Sequence, residues 1–269
     1  MKRNWIASAA AGALALGAAQ AQAQQAVFMP IVIEVSGSGA VSGTNFRDGA
    51  LMAIDEINAK GGILKRKINA PVSDTQTNPG VSRAQVQKAI DGDPYVILGP
   101  VFSGSILVSM AETKRAEVPN FTGGEAASIT EQGNPYIFRT SFTQASAMPK
   151  VVRYMKDTMK VKTVALMWGN NDYGKGGRDM FTKEADKQGI KIVADISTDP
   201  GQVDFSGPVL KAKQANADAT FVYTNEDESA RALREFKKQG YDKPLVGETT
   251  LVGQKVIELA GDAANGAIA

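Results

Sequence analysis

Residues 27–62 constrain the fold more than any other stretch of the chain. An apolar strand-like run at 27–35 leads into a turn holding Gly37, Gly39 and Gly43, and then into a long amphipathic segment at 45–60. Helical spacing puts Phe46, Ala50, Ala53, Ile54 and Ile57 on one face and Asp48 and Asp55 on another. Gly61 and Gly62 follow where a C-cap needs a residue tolerant of positive φ. Strand, glycine turn and helix in this order form the repeating unit of a parallel α/β sheet. In front of the unit, Lys2 and Arg3 precede an alanine- and leucine-rich run at 5–19, with small-x-small sites at Ala19-Gln20-Ala21 and Ala21-Gln22-Ala23. That is the pattern of a secretory signal peptide over 1–23, cleaved after Ala23. In cytoplasm the unit would point to a dinucleotide-binding enzyme; behind a leader it points to an exported α/β ligand binder.

Composition removes whole classes of chemistry. The chain has no cysteine and no histidine. Disulfides, thiol catalysis, thiolate metal sites and a Ser-His-Asp triad are therefore out of reach, and zinc and most transition metals are not expected. Lipoprotein export needs a cysteine at the cleavage site, so the expected product is free in a Gram-negative periplasm. Losing Lys2 and Arg3 takes the formal charge from +2 to 0, which leaves no electrostatic footprint for nucleic acid.

Strand-like and helix-like segments then alternate along the chain, the mark of parallel sheets. Strands are expected at 67–74, 95–98 and 118–122. Asn78 should cap a helix that has Pro79 at its first position. A second series starts near 136–140 and continues at 163–168, 190–196, 219–224 and 244–247, with a lobe boundary near Ser141. The expected architecture is two Rossmann-like α/β lobes, 24–141 and 142–265.

Three motifs carry candidate chemistry. The spacing of Gly37, Gly39 and Gly43 fits a dinucleotide phosphate loop, but the acid that should bind a ribose would be Asp74, too far along the chain. A secreted dinucleotide-dependent oxidoreductase is thus the rival from another class. The segment 99–105 joins a strand to a helix and brings Phe102, the Ser103 hydroxyl and the N–H of Gly104 to a helix N-terminus, a ready carboxylate site. Ser103 is also the expected helix cap. It is no nucleophile elbow, because Val101 and Ser105 stand where G-x-S-x-G needs glycine. Asn225 and Glu226 sit at the carboxyl end of a strand, whereas Asp227 and Glu228 read as acids complementing a helix dipole. No pair of acids stands out for catalysis.

These segments together resemble the leucine/isoleucine/valine-binding protein family, type I periplasmic binding proteins that serve ABC importers. The matching residues are Asn45-Phe46-Arg47-Asp48-Gly49-Ala50, the run from Ala53 through Asp55-Glu56-Ile57-Asn58 to Gly61-Gly62-Ile63, and Tyr95 to Gly99 with Ser103. Asp172-Tyr173-Gly174, Asp204-Phe205-Ser206 and Leu259-Ala260-Gly261-Asp262-Ala263-Ala264-Asn265-Gly266 continue the match. The resemblance implies two lobes that close on a small carboxylate-bearing ligand and deliver it to permease subunits in the inner membrane, with no catalysis and no cofactor. By the same resemblance, Ser103 holds the carboxylate, the loop with Glu125 and Ala126 adds N–H groups, Tyr173 closes from the second lobe, and Phe102 lines the side-chain pocket.

The sequence departs from the family in three ways. Ala126-Ala127 stands where amino-acid binders carry threonine in the second loop. Thr249 aligns with the glutamate that meets the ligand ammonium, leaving Glu248 one residue early and Glu226 as another source of charge. Family members also run past Gly266 back into the first lobe, so 266–269 reads as the start of a return crossover, the first lobe as incomplete and the chain as truncated. The implied ligand is a branched-chain or other hydrophobic amino acid; an aromatic or aliphatic carboxylate without an amine is the rival ligand, and a periplasmic ligand sensor the rival role.

Overall fold

The computed structural model describes residues 25–269, so the signal peptide expected over 1–23 lies outside the described residues. Two prolines decide how the chain enters its first sheet. The run at 27–35 is split at Pro30 into β1 (Val27–Phe28) and β2 (Ile31–Ile33), and the run at 67–74 is split at Pro71 into β3 (Ile68–Asn69) and β4 (Val72–Asp74). Each was expected as one strand. Proline has no N–H to give a ladder, so both strands break at the same level. β1 and β3 pair alone, while β2 and β4 join a larger sheet.

That sheet has five parallel strands in the order β4-β2-β5-β6-β7, with β5 at Ile97–Leu98, β6 at Asn120–Thr122 and β7 at Ile137–Arg139. β7 was expected to open the second series, but it pairs with β6 and closes the first sheet. The second sheet is β8 (Thr163–Gly169), β9 (Lys191–Thr198), β10 (Ala219–Tyr223) and β11 (Leu245–Val246), parallel and ordered β11-β10-β8-β9. Ile268 bridges Val246 in parallel, so residues 266–269 run along the β11 edge of this sheet.

The helices fill in between. α1 spans Ala40–Ala59, α2 Pro79–Asp91, α3 Ser103–Ala116, α4 Ser128–Glu131 and α5 Gln144–Asp157. α6 spans Asp172–Gln188, α7 Ser206–Gln214, α8 Glu226–Lys238, α9 Thr249–Val252 and α10 Gln254–Ala260. α2 starts as its sequence predicts: Asn78 Oδ1 accepts from the N–H groups of Gly80 (2.9 Å) and Val81 (3.1 Å), with Pro79 next in line.

α1 differs from expectation. It begins at Ala40 and takes Gly43 into the helix, where a Cβ would drive into the Glu34 carbonyl. Its buried stripe is rotated toward Leu51: Phe46, Ala50, Leu51 and Ile54 meet the sheet, while Ala53 and Ile57 are exposed. Asn58 fixes this rotation by clasping β3, its side chain donating to the Ile68 carbonyl (3.0 Å) and accepting from the Ile68 N–H (2.7 Å).

Strand alternation sorts the cores. In the second sheet Val164, Leu166, Phe221 and Tyr223 face α5 and α6, where Met148, Val152 and Phe181 pack on them. Ala165, Met167 and Val222 face the other way, onto Val209, Leu233, Phe236 and Val256 of α7, α8 and α10. Both sheets reverse strand order beside their first strand, between β2 and β5 and between β8 and β10. In open α/β sheets such switch points put a crevice at the carboxyl ends of the strands.

Candidate functional site

Connections that leave those carboxyl ends meet in the crevice, joined by Thr250 from the short α9 after β11. From the first lobe come 34–39 after β2, 99–102 after β5 and 123–127 after β6; from the second comes Thr224-Asn225 after β10. They enclose a cavity of about 40 Å³. The first lobe lines it with Gly39, Ser42, Val101, Phe102, Ser103 and Glu125, and the second with Tyr173, Asn225, Glu226 and Thr250.

Ser103 does not cap α3. Phe102 occupies the N-cap position, and Ser103, 2% exposed, is the first helical residue. Its Oγ accepts from the Ala126 N–H (3.3 Å), which ties the two first-lobe loops together and leaves the hydroxyl proton for another acceptor. Glu34 anchors the Ser103 loop from behind: fully buried at the end of β2, its Oε2 accepts from the Val101 N–H (2.9 Å). Burial pushes that carboxyl above its ordinary range. Arg139 anchors the other loop, donating to the carbonyls of Gly124 and Ala126, the latter at 2.9 Å.

Tyr173 stacks on Tyr223 at 4.3 Å between ring centroids, and its hydroxyl lies 3.2 Å from Thr250 Oγ1. Gln144 locks the pair, its Nε2 donating to the Tyr173 carbonyl (2.7 Å) and to the Tyr223 hydroxyl (3.1 Å). Three hydrogen bonds cross between the lobes, one of them from the Gln144 N–H to the Glu125 carbonyl (3.1 Å) and two from side chains. Tyr223 Oη donates to Glu125 Oε2 (3.2 Å), and Ser42 Oγ donates to Glu226 Oε1.

The electrostatics are lopsided. Burial pushes the Glu125 carboxyl up to about 8, helped by the nearby charges of Glu248 and Glu226. Burial likewise raises Glu226, against the Ser42 hydrogen bond, and raises Glu248, against its Thr249 contacts. Both tyrosine hydroxyls are pushed well above their ordinary range by burial, with smaller contributions from Glu125 and Glu248. Asn225, 5% exposed, has an amide nitrogen with no hydrogen-bond partner.

Not every residue singled out from the sequence reaches the cavity. Gly104 turns its Cα toward Asp172. Ala126 is buried beneath Ser103. Glu248 caps α9 and, with Thr249, lines a separate hollow beside Phe142; Thr249 Oγ1 donates to Glu248 Oε2 (3.0 Å). The residue that does reach in is Thr250, one further along. Ser42 was missed as well; it lies inside the glycine turn that had been read only for its glycines. Glu228, taken as a helix-end acid, receives the N–H groups of Gly201 (2.6 Å) and Asn225 (3.2 Å) and stays out of the cavity.

The sequence matches the family model described as "Periplasmic binding protein" over residues 26–269. The chain belongs to this family. Among its relatives in the periplasmic binding protein family is the leucine-, isoleucine-, valine-, threonine-, and alanine-binding protein of Pseudomonas aeruginosa, 27% identical over 97% of this chain and 70% of the relative. The Leu/Ile/Val-binding protein homolog 1 of Brucella abortus is 29% identical over 89% of this chain and 65% of its own. Among solved structures, the substrate-binding protein LivJ of Streptococcus pneumoniae in complex with isoleucine superimposes with a TM-score of 0.80 at 26% identity, covering 88% of this chain and 68% of LivJ. The chain thus spans about two thirds of the length of these proteins. The two-lobed parallel α/β fold expected from the sequence is the fold they share.

Proposed function

We propose that the protein is a periplasmic solute-binding protein of an ABC importer, which captures an α-amino acid by lobe closure and passes it to permease subunits in the inner membrane. One observation carries the reading: a single cavity takes walls from both lobes and is lined by both hydrogen-bond donors and carboxyls. The Ser103 hydroxyl and the start of α3 offer donors to a carboxylate. Glu226 and Glu125 offer carboxyl oxygens to an ammonium, whose charge would favour their ionised forms. Tyr173 closes from the second lobe, and Val101 and Phe102 give apolar contact. The aliphatic amino acids named for the relatives are the first candidates. A carboxylate without an amine fits less well, because it would add an anion beside carboxyls that already resist ionising. Nothing in this reading requires turnover of the ligand.

Thermal shift and calorimetry test it. Leucine, isoleucine, valine, threonine and alanine should be compared with des-amino analogues such as isocaproate, and with NAD. A true ligand at 100 times its Kd stabilises the fold by about 2.7 kcal/mol and is recovered unchanged. Binding of NAD alone, or conversion of any amino acid to a product, overturns the proposal.

A further inference from the structure

Beside the cavity, sharing part of its wall, lies a wider hollow of about 550 Å³. Glu125, Glu226, Ser42 and Thr250 line both spaces, and Asn45, Thr249, Gln254 and Glu258 continue the wall outward. The inner space of about 40 Å³ has room for only a few water-sized groups. An α-carboxylate and an α-ammonium use that room, so a longer side chain has to run outward past Glu125. An aliphatic chain on that path would desolvate carboxylates and amides and give them no partner.

The described residues offer little compensating charge. Lys255 lies at the outer hollow with its ammonium 3.5 Å from Glu258, and Glu258 also accepts from Gln254 Nε2 (3.1 Å). Arg139 is turned toward backbone carbonyls. Among the described residues no group of acids is placed to hold a metal ion. The amide nitrogen of Asn225, a residue of the inner wall, has no full hydrogen-bond partner and is free to take an acceptor from a ligand. Acceptor inside and cation outside describe one molecule.

Resting on the solute-binding reading, we propose that the ligand range of this cleft extends to α-amino acids whose side chain ends in a cation, seated beside Glu125 with Glu258 farther out. Glu226 keeps the α-ammonium, and Glu125 gains a countercharge beyond the small one that Arg139 gives it. Burial, which holds the Glu125 proton in the empty cleft, favours an ammonium or guanidinium arriving there.

Lysine and norleucine share one carbon chain and differ only in the terminal ammonium, so their calorimetric ratio reads the proposed contact directly. Lysine should bind at least tenfold tighter than norleucine. Glu125→Gln should shrink that ratio toward one, whereas Glu226→Gln should weaken both ligands together. Glu258→Gln, an exposed change that gives up the ion pair with Lys255, should cost lysine about twofold relative to norleucine. Lysine binding no tighter than norleucine, or a ratio unmoved by Glu125→Gln in a protein that still melts cooperatively, overturns the inference while the importer reading stands. If leucine, norleucine and lysine all fail to bind, the importer reading falls with it.

Discussion

Glu125→Gln should make the unliganded protein more stable at neutral pH and leave it little changed in acid. The glutamine keeps the shape of the side chain and an oxygen to accept from Tyr223, now 3.2 Å away, so only the ionisation is removed. In the unfolded chain Glu125 loses its proton near its ordinary 4.5; in the fold it keeps it to about 8, because burial and the charges of Glu248 and Glu226 disfavour the anion. Between those values the native state holds a proton that the unfolded state has given up. Stability therefore falls as pH rises, by up to about 1.36 kcal/mol per pH unit, until the native carboxyl ionises. By pH 7 the accumulated loss is roughly 3 kcal/mol, and water at the half-buried edge of the side chain screens part of it, leaving about 1–3 kcal/mol. Glu226 and Glu248 are raised in the same sense, so the variant should retain a shallower decline of its own. Urea denaturation at pH 5 and pH 7.5 measures the difference. Wild type and variant falling in parallel, or wild type gaining stability relative to the variant as pH rises, would refute the charge crowding described for the cleft.

Other substitutions probe separate parts of the argument. Ser103→Ala should weaken amino-acid binding by roughly 1.5–3 kcal/mol, tenfold or more by calorimetry, through the lost hydrogen bond to a charged group. The same change orphans the Ala126 N–H, so the melting temperature should fall slightly, though no helix cap is lost. Gly177→Ala puts a methyl group into the ring of Tyr223 and should cost about 1–3 kcal/mol in denaturant unfolding, with weaker binding because the Tyr173–Tyr223 stack must shift. Asn78→Ala removes both acceptor contacts at the start of α2 and should cost about 1 kcal/mol, with binding unaffected.

Features set by near neighbours in sequence were legible, and features set by distant ones were not. Asn78-Pro79 announces its helix because cap and first turn lie within four residues. The apolar runs of β8 and β10 announce buried parallel strands because all of β10 and the centre of β8, Val164 to Met167, are covered. The start of α1 was misread because glycines inside a turn motif look like turn, and only the Glu34 carbonyl, on the neighbouring strand, explains why residue 43 must be glycine within a helix. The strand at 137–139 is just as plausible opening one sheet as closing another, since its own residues do not say which neighbour it pairs with; β6 decides it.

The site follows the same rule with sharper consequences. Ser103 could be found from sequence because one local fact, a serine at the junction of strand and helix, is enough to place a hydroxyl at a crevice. The acids were only partly placed. Sequence and resemblance point to Glu226, Glu248 and the loop of Glu125, but not to which of them reach the cavity: Glu125 and Glu226 line it, while Glu248 stands at the start of α9 beside a separate hollow. Only closure of one lobe on the other brings Glu125 to Tyr223 and Glu226 to Ser42. Both side-chain hydrogen bonds between the lobes therefore end on carboxyls that line the cavity. On the proposed reading, a ligand cation beside Glu125 and Glu226 sits next to the groups that bridge the cleft, so ligand charge and lobe closure are expected to be linked.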